Sequence, residues 1–242
     1  LKRIYAISHD GKKIPISIIK RKDTPKNAPT LLYGYGSYGI SISPSFSVSR
    51  LSLIDRGMVY AIAHIRGGME KGKKWYENGK KKNKLNSFRD FIACAEFLKK
   101  ENISKNITIH GGSAGGLLIG ASLNISPDTF HCAVAEVPFV DVLNTILDDS
   151  LPLTPPEWEE WGNPIKNKSD FDYIRSYSPY DNIKEQNYPA ILATSGLTDP
   201  RVTYWEATKW IAKLRSKKTN DNPLFLKTYT EAGHGGMAGR YN

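Results

Sequence analysis

The stretch HGGSAGG at residues 110–116 is the most restrictive feature of this sequence. Glycine loses more freedom on folding than any other residue and weakens ordinary helices and strands. Four glycines around one serine mark a turn too tight for side chains, or a backbone that another group must approach closely. The flanks supply the context. NITIH (106–110) reads as a short buried strand, and AGGLLIGASLN (114–124) as a helix of small and apolar residues. Between them, Gly111-Gly112-Ser113-Ala114-Gly115 matches G-x-S-x-G in the strand–turn–helix setting of a nucleophile elbow. In such a turn Gly111 and Gly115 relieve crowding, and Ser113 is held strained with its oxygen above the sheet. Ala114 opens the helix, so its N–H points at the same space from the positive end of the helix dipole. A negative oxygen formed by attack on a carbonyl is stabilised there. The competing reading, a glycine turn around a phosphate, calls for a pattern such as G-x-x-x-x-G-K-[ST], and no lysine follows.

The rest of the chain supplies the sheet that an elbow needs. RIYAIS and KIPISII around HDG read as a hairpin. TLLYG (30–34), MVYAIAHI (58–65), HCAVAEVP (131–138), PAILATSG (189–196) and PLFLKTYT (223–230) read as strands. Helical spacing marks 46–57, which stops at Gly57, then 85–102, with Asn86 or Ser87 as its cap, and 203–217. Residues 144–188 interrupt the alternation as an excursion from the sheet. Alternating strands and helices predict an α/β fold with a mostly parallel sheet and helices on both faces. Functional groups then gather at the carboxyl ends of the strands. Length fits one domain over 1–242.

Charge and cysteine content narrow the classes. The formal net charge is +10, and the lysines cluster in KGKKW (71–75) and KKKNK (80–84). Both stretches read as loop without the interleaved aromatics of a base-stacking surface, so a solvated lysine face is expected rather than nucleic-acid binding. No apolar run reaches bilayer length and the N-terminus has no signal-peptide core, so no membrane partner is expected. Cys94 and Cys132 lack metal-ligand spacing. Two reduced cysteines in a cytoplasmic protein is the expectation, with no metal and no cofactor.

A serine hydroxyl is a weak nucleophile until a base takes its proton. Acid and then histidine follow the serine in this architecture, and only His131 and His234 lie after Ser113. His131 opens a strand and reads as structural. His234 sits in AGHGG after the last strand, where a base reaches sideways. Asp199, in LTDPRV just past a strand tip, is the candidate acid, able to hold the imidazole tautomer. Its alternative role is a cap for the helix that follows.

LLYGYGSYG, SVSRLSLIDRG, IRGG, GGSAGG, EWEEWGNP, SYSPYDN and EAGHGG, in order along the whole chain, resemble the oligopeptidase B branch of the prolyl oligopeptidase family. The resemblance implies an α/β-hydrolase catalytic domain whose partner β-propeller admits only short peptides, with cleavage after Arg or Lys. It implies Ser113 as nucleophile, Asp199 as acid and His234 as base. Tyr35 then falls on the oxyanion-hole hydroxyl beside the Ala114 N–H. Glu157 and Glu159 fall on the paired acids of the pocket for the basic side chain, which residue types alone would read as a solvated acidic face. Arg201 falls on an arginine that binds a substrate carbonyl. Ser41 and Ser43 stand where some members carry aspartates, so a dibasic preference is not implied. The domain is expected without the propeller, which could be a separate domain or chain, and without the helix that closes the family's sheet. An esterase with the same elbow, and an inactive truncated module that binds a partner, are the alternatives.

Overall fold

A computed structural model describes residues 1–236, so the last residues of the expected 1–242 domain lie outside the described residues. Eight strands form one sheet in the order β1-β2-β4-β3-β5-β6-β7-β8. These are β1 (Lys2–Ile7), β2 (Lys13–Ile19), β3 (Thr30–Tyr33), β4 (Val59–Ala63), β5 (Ile107–Gly112), β6 (Cys132–Glu136), β7 (Ala190–Gly196) and β8 (Leu224–Tyr229). The first hairpin is antiparallel and β2 pairs antiparallel with β4; every pairing beyond β4 is parallel. The helices are α1 (Val48–Asp55), α2 (Lys73–Glu77), α3 (Leu85–Lys100), α4 (Ala114–Ile125), α5 (Val142–Leu147), α6 (Thr154–Trp161), α7 (Lys168–Tyr177) and α8 (Tyr204–Lys217). This is the mostly parallel α/β sheet that the alternation predicted, in the α/β-hydrolase architecture that the resemblance implied.

Period-two alternation sorts each strand's side chains between two faces. Ala61, Leu32, Ile109, Ala133, Ile191 and Leu224 line up across six strands, fully buried, and join the core beneath α3, α4 and α8. The opposite face carries α1 over Tyr60 and Ile62. Toward β7 and β8 that face is open among the described residues, with Leu192 39% and Phe225 60% exposed. The excursion at 144–188 consists of α5, α6 and α7, which come between β6 and β7. No helix among the described residues is long and apolar enough to cross a membrane.

Three local expectations change, and one is the first lysine run, which enters α2 at Lys73 and buries Trp75 instead of forming loop. Neither Asn86 nor Ser87 caps α3; the helix starts from Lys84 without a side-chain cap. Ser87 is buried and its hydroxyl donates to the Arg66 carbonyl at 2.7 Å, a tertiary bond that displaces the local one. The second lysine run is not uniformly solvated either: it forms a short 3₁₀ turn over Lys81–Asn83, and Lys84 is 1% exposed.

Candidate active site

The elbow forms where β5 meets α4. Ser113 has φ 56° and ψ −121°, a strained pose for a residue with a Cβ, costing about 1–3 kcal/mol. Surrounding bonds fix it. Its N–H donates to Glu136 O at 2.9 Å, and its carbonyl accepts the N–H of Gly116 at 2.8 Å and of Phe139 at 3.0 Å. A Cβ on Gly111 would lie 2.4 Å from the Gly115 carbonyl oxygen, so no larger residue fits that turn. Ala114 is the first helical residue, and its N–H has no intrahelical acceptor.

Parallel strands end at one edge, so the loops after β7 and β8 reach the elbow. A Cβ on Gly196 would lie 2.4 Å from the Ala232 carbonyl oxygen, which also accepts the Thr198 N–H at 3.2 Å and hydroxyl at 3.0 Å. This close seating brings His234 Nδ1 to 2.8 Å from Asp199 Oδ2. The other carboxylate oxygen accepts the N–H groups of Arg201 at 2.8 Å and Val202 at 3.0 Å. Asp199 therefore braces its own turn, and Thr203 occupies the N-cap position of α8. A carboxylate only accepts, so His234 Nδ1–H is the donor of this bond, and in a neutral imidazole Nε2 is then the acceptor nitrogen.

A cavity of about 620 Å³ is lined by Ser113, Ala114, His234, Tyr35, Glu157 and Arg201 among others. Asp199 is buried behind the imidazole, with its side chain fully covered. The Tyr35 ring lies against the start of α4: a Cβ on Gly115 would sit 3.3 Å from its Cδ2. Burial, reinforced by Tyr33, Glu157 and Glu160, pushes the Tyr35 phenol up to about 12, so it remains a proton donor at neutral pH. A second cavity, of about 530 Å³, flanks the other side of Ser113 and His234.

The acidic run divides by helical phase. EWEEW lies in α6, where residues two apart diverge by about 200° around the axis and residues three apart share a face. Glu157 lines the cavity, and its Oε2 accepts the Tyr38 hydroxyl at 2.8 Å and the Trp161 indole N–H at 2.6 Å. Glu159 points away, 88% exposed, and pairs with Lys81 at 3.3 Å. The structure thus does not bring the expected acid pair together. The carboxylate sharing the Glu157 face is Glu160, buried, which accepts the Tyr38 N–H at 3.0 Å and the Tyr76 hydroxyl at 2.6 Å. An i, i+3 reading of EWEE would have picked it.

A further acid on the cavity wall escaped the sequence reading. Glu206, in the first turn of α8, is 1% exposed; it accepts the N–H groups of Val140 and Asp141 at 2.9 Å each and the Thr145 hydroxyl at 2.7 Å. Burial pushes its carboxyl up to about 7, against the pull of those donors, and the nearby Asp141 adds to the rise. The folded value lies above the unfolded one, so this group's contribution is fully present below the unfolded value near 4.5 and fades as pH rises through 7. The loss amounts to about 3 kcal/mol. Glu206→Gln, which resembles the protonated acid, should match wild-type thermal stability near pH 4 and exceed it at pH 8. Parallel pH–stability curves would show that Glu206 does not titrate this way.

A hydrogen-bonded Ser–His–acid series is not sufficient to make a site. Ser17 Oγ lies 2.8 Å from His64 Nε2, and His64 Nδ1 lies 3.4 Å from Glu70 Oε1. Both Ser17 and His64 are buried, and neither lines the cavities beside Ser113. Ser17 lies in mid-strand on β2, without an elbow.

Comparison with known proteins fits this geometry. The profile described as the prolyl oligopeptidase family matches residues 44–242. "Dipeptidyl aminopeptidase BI" of Pseudoxanthomonas mexicana is 49% identical over 99% of this chain and 34% of its own length. "Protease 2" of Moraxella lacunata is 47% identical over 99% of this chain and 35% of its own length. Among solved structures, oligopeptidase B from Leishmania major superposes with a TM-score of 0.94 at 51% identity, covering 96% of this chain and 33% of that one. Oligopeptidase B from Trypanosoma brucei, with covalently bound antipain in a closed form, gives 0.94 at 52% identity, covering 97% and 34%. The chain spans about a third of the length of the curated relatives it matches. On the elbow, the sheet that carries it and these likenesses, the chain belongs to the prolyl oligopeptidase family.

Proposed function

We propose that this chain is the catalytic domain of a serine oligopeptidase that cuts short peptides after Arg or Lys through a covalent acyl-enzyme. The observation that carries the reading is the convergence of Ser113, His234, Tyr35 and Glu157 on one cavity, with Asp199 bonded to the far side of the imidazole. Ser113 Oγ attacks the peptide carbonyl carbon while His234 Nε2 takes its proton. The carbonyl oxygen becomes an oxyanion, met by the Tyr35 hydroxyl and the Ala114 N–H. As the C–N bond breaks, the imidazolium returns its proton to the leaving amine, leaving an ester on Ser113. Water, deprotonated by His234, then attacks that ester, and Ser113 recovers its proton. Asp199 stabilises the imidazolium in both halves.

Glu157 faces the cationic side chain of the residue before the cut. One of its oxygens is held by Tyr38 and Trp161, so the carboxylate is oriented before substrate arrives. Arg201, on the wall of the same cavity, can donate to a substrate carbonyl. The propeller implied by the family likeness would limit entry to short peptides, and the greater length of the relatives leaves room for it. Glu157→Gln should reduce the preference for an arginyl over an uncharged reporter amide by about 10²-fold, the worth of a charged hydrogen bond of about 3 kcal/mol. An unchanged preference would remove Glu157 from the pocket.

A further inference from the structure

We propose that Lys84 and Glu160 are positioning residues: two buried opposite charges that clamp the loop Gly36–Tyr38 from either side, holding Tyr35 over the elbow and Tyr38 against Glu157. The inference rests on the reading of Tyr35 and Glu157 given above and adds what sets their pose.

The loop after β3 does not hold its shape through backbone preference alone. Gly36 and Gly39 lie in the left-handed region, and so does Tyr38, at φ 58°. For a residue with a side chain that region costs about 1–2 kcal/mol, and it persists where the surroundings over-determine it. Here they do. The Tyr38 N–H donates to Glu160 at 3.0 Å, its hydroxyl donates to Glu157 at 2.8 Å, and its ring meets Trp161 edge-on at 5.6 Å. From the other side, Lys84 Nζ donates to the Gly36 carbonyl at 2.6 Å and to Ser37 Oγ at 2.8 Å. The ammonium also lies 5.1 Å from the centre of the Trp161 ring. An ammonium has three donors, and two of them go to this loop.

Burial gives these contacts their meaning. Lys84 is 1% exposed and Glu160 3%, whereas Lys81 and Lys82 nearby lie at the surface. Removing such charges from water costs several kcal/mol per ion, and apolar side chains would fill the same space more cheaply. Burial draws the Lys84 ammonium down to about 8, with Glu160 opposing the fall. The hydrogen bonds of both groups go to the loop and its neighbours rather than to each other. A pair that served only to neutralise charge would be in contact. This pair instead meets polar atoms of the segment that carries the two tyrosines, with the second Glu160 oxygen anchored on Tyr76 of α2.

The test is a double-mutant cycle on the intact protein, with an arginyl reporter amide. Tyr35→Phe should lower kcat by about 10²- to 10³-fold. Lys84→Met, which keeps the chain length but removes the donors, should lower kcat by about 10- to 100-fold with little change in KM. Because Lys84 acts through Tyr35, the double variant should be no slower than Tyr35→Phe alone. Losses that multiply in a folded double variant, or full activity in Lys84→Met, overturn the proposal and leave the oxyanion reading standing. Full activity in Tyr35→Phe overturns both. If Lys84→Met does not fold, Glu160→Gln carries the test with Glu157→Gln as its partner. There the expected effect is a raised KM for the arginyl amide that does not grow in the double variant, and multiplied effects overturn the proposal.

Discussion

Replacing Ser113 with Ala is expected to lower arginyl-amide turnover by about 10⁶-fold while leaving the unfolding midpoint unchanged. In the proposed mechanism the hydroxyl oxygen forms the bond to the carbonyl carbon, so its removal would end the covalent route. What remains is rate enhancement from substrate binding and the oxyanion donors, about 10³- to 10⁴-fold over water. Stability should hold because alanine and serine both carry a Cβ and meet the same strain at φ 56°. Ser113→Gly separates the two effects: equally inactive, but more stable by about 1 kcal/mol, since glycine adopts that pose freely. Initial rates alongside thermal unfolding of the three proteins check this. A Ser113→Ala protein within 10-fold of wild type would require another nucleophile.

Asp199→Asn is expected to lower turnover by about 10⁴-fold, with the fold retained. The reason lies in the two halves of the carboxylate. Oδ1 accepts the N–H groups of Arg201 and Val202, and Oδ2 accepts from His234 Nδ1. An asparagine has one acceptor oxygen, which the two backbone donors claim, so its NH₂ turns toward the imidazole. His234 must then accept at Nδ1 and carry its proton on Nε2, where it can no longer take one from Ser113. The loss should fall on kcat, with KM for the arginyl amide little altered. A decrease of less than about 10-fold would mean that the imidazole is oriented by something other than this bond.

Much of this site was legible because its determinants are local. The elbow is written in seven consecutive residues flanked by a strand and a helix, and Ser113 takes the strained pose that this pattern requires. The order serine, acid, histidine follows from parallel strands delivering their carboxyl ends to one edge, and Asp199 and His234 do meet there. The acid pair could not be read in the same way. Glu157 and Glu159 look equivalent in a string of letters, and the phase of α6 separates them, one toward the cavity and one into solvent. Lys84 was hidden by its neighbours, since a run of lysines reads as a wet surface and nothing in KKKNK marks which one turns inward. Glu206 likewise sits in the polar-looking first turn of an amphipathic helix, and its partners lie more than sixty positions away. Helix phase decided the acid pair, and tertiary contacts decided Lys84 and Glu206.

The central claim is that Ser113 Oγ is made nucleophilic by His234 and Asp199. The most direct measurement is to treat the folded protein with a fluorophosphonate probe and locate the adduct by peptide mass spectrometry. The predicted result is a single adduct on the peptide bearing Ser113, formed rapidly in wild type, slowly in Asp199→Asn and not at all in Ser113→Ala. An adduct on another residue, or equal labelling of wild type and Asp199→Asn, would contradict the assignment.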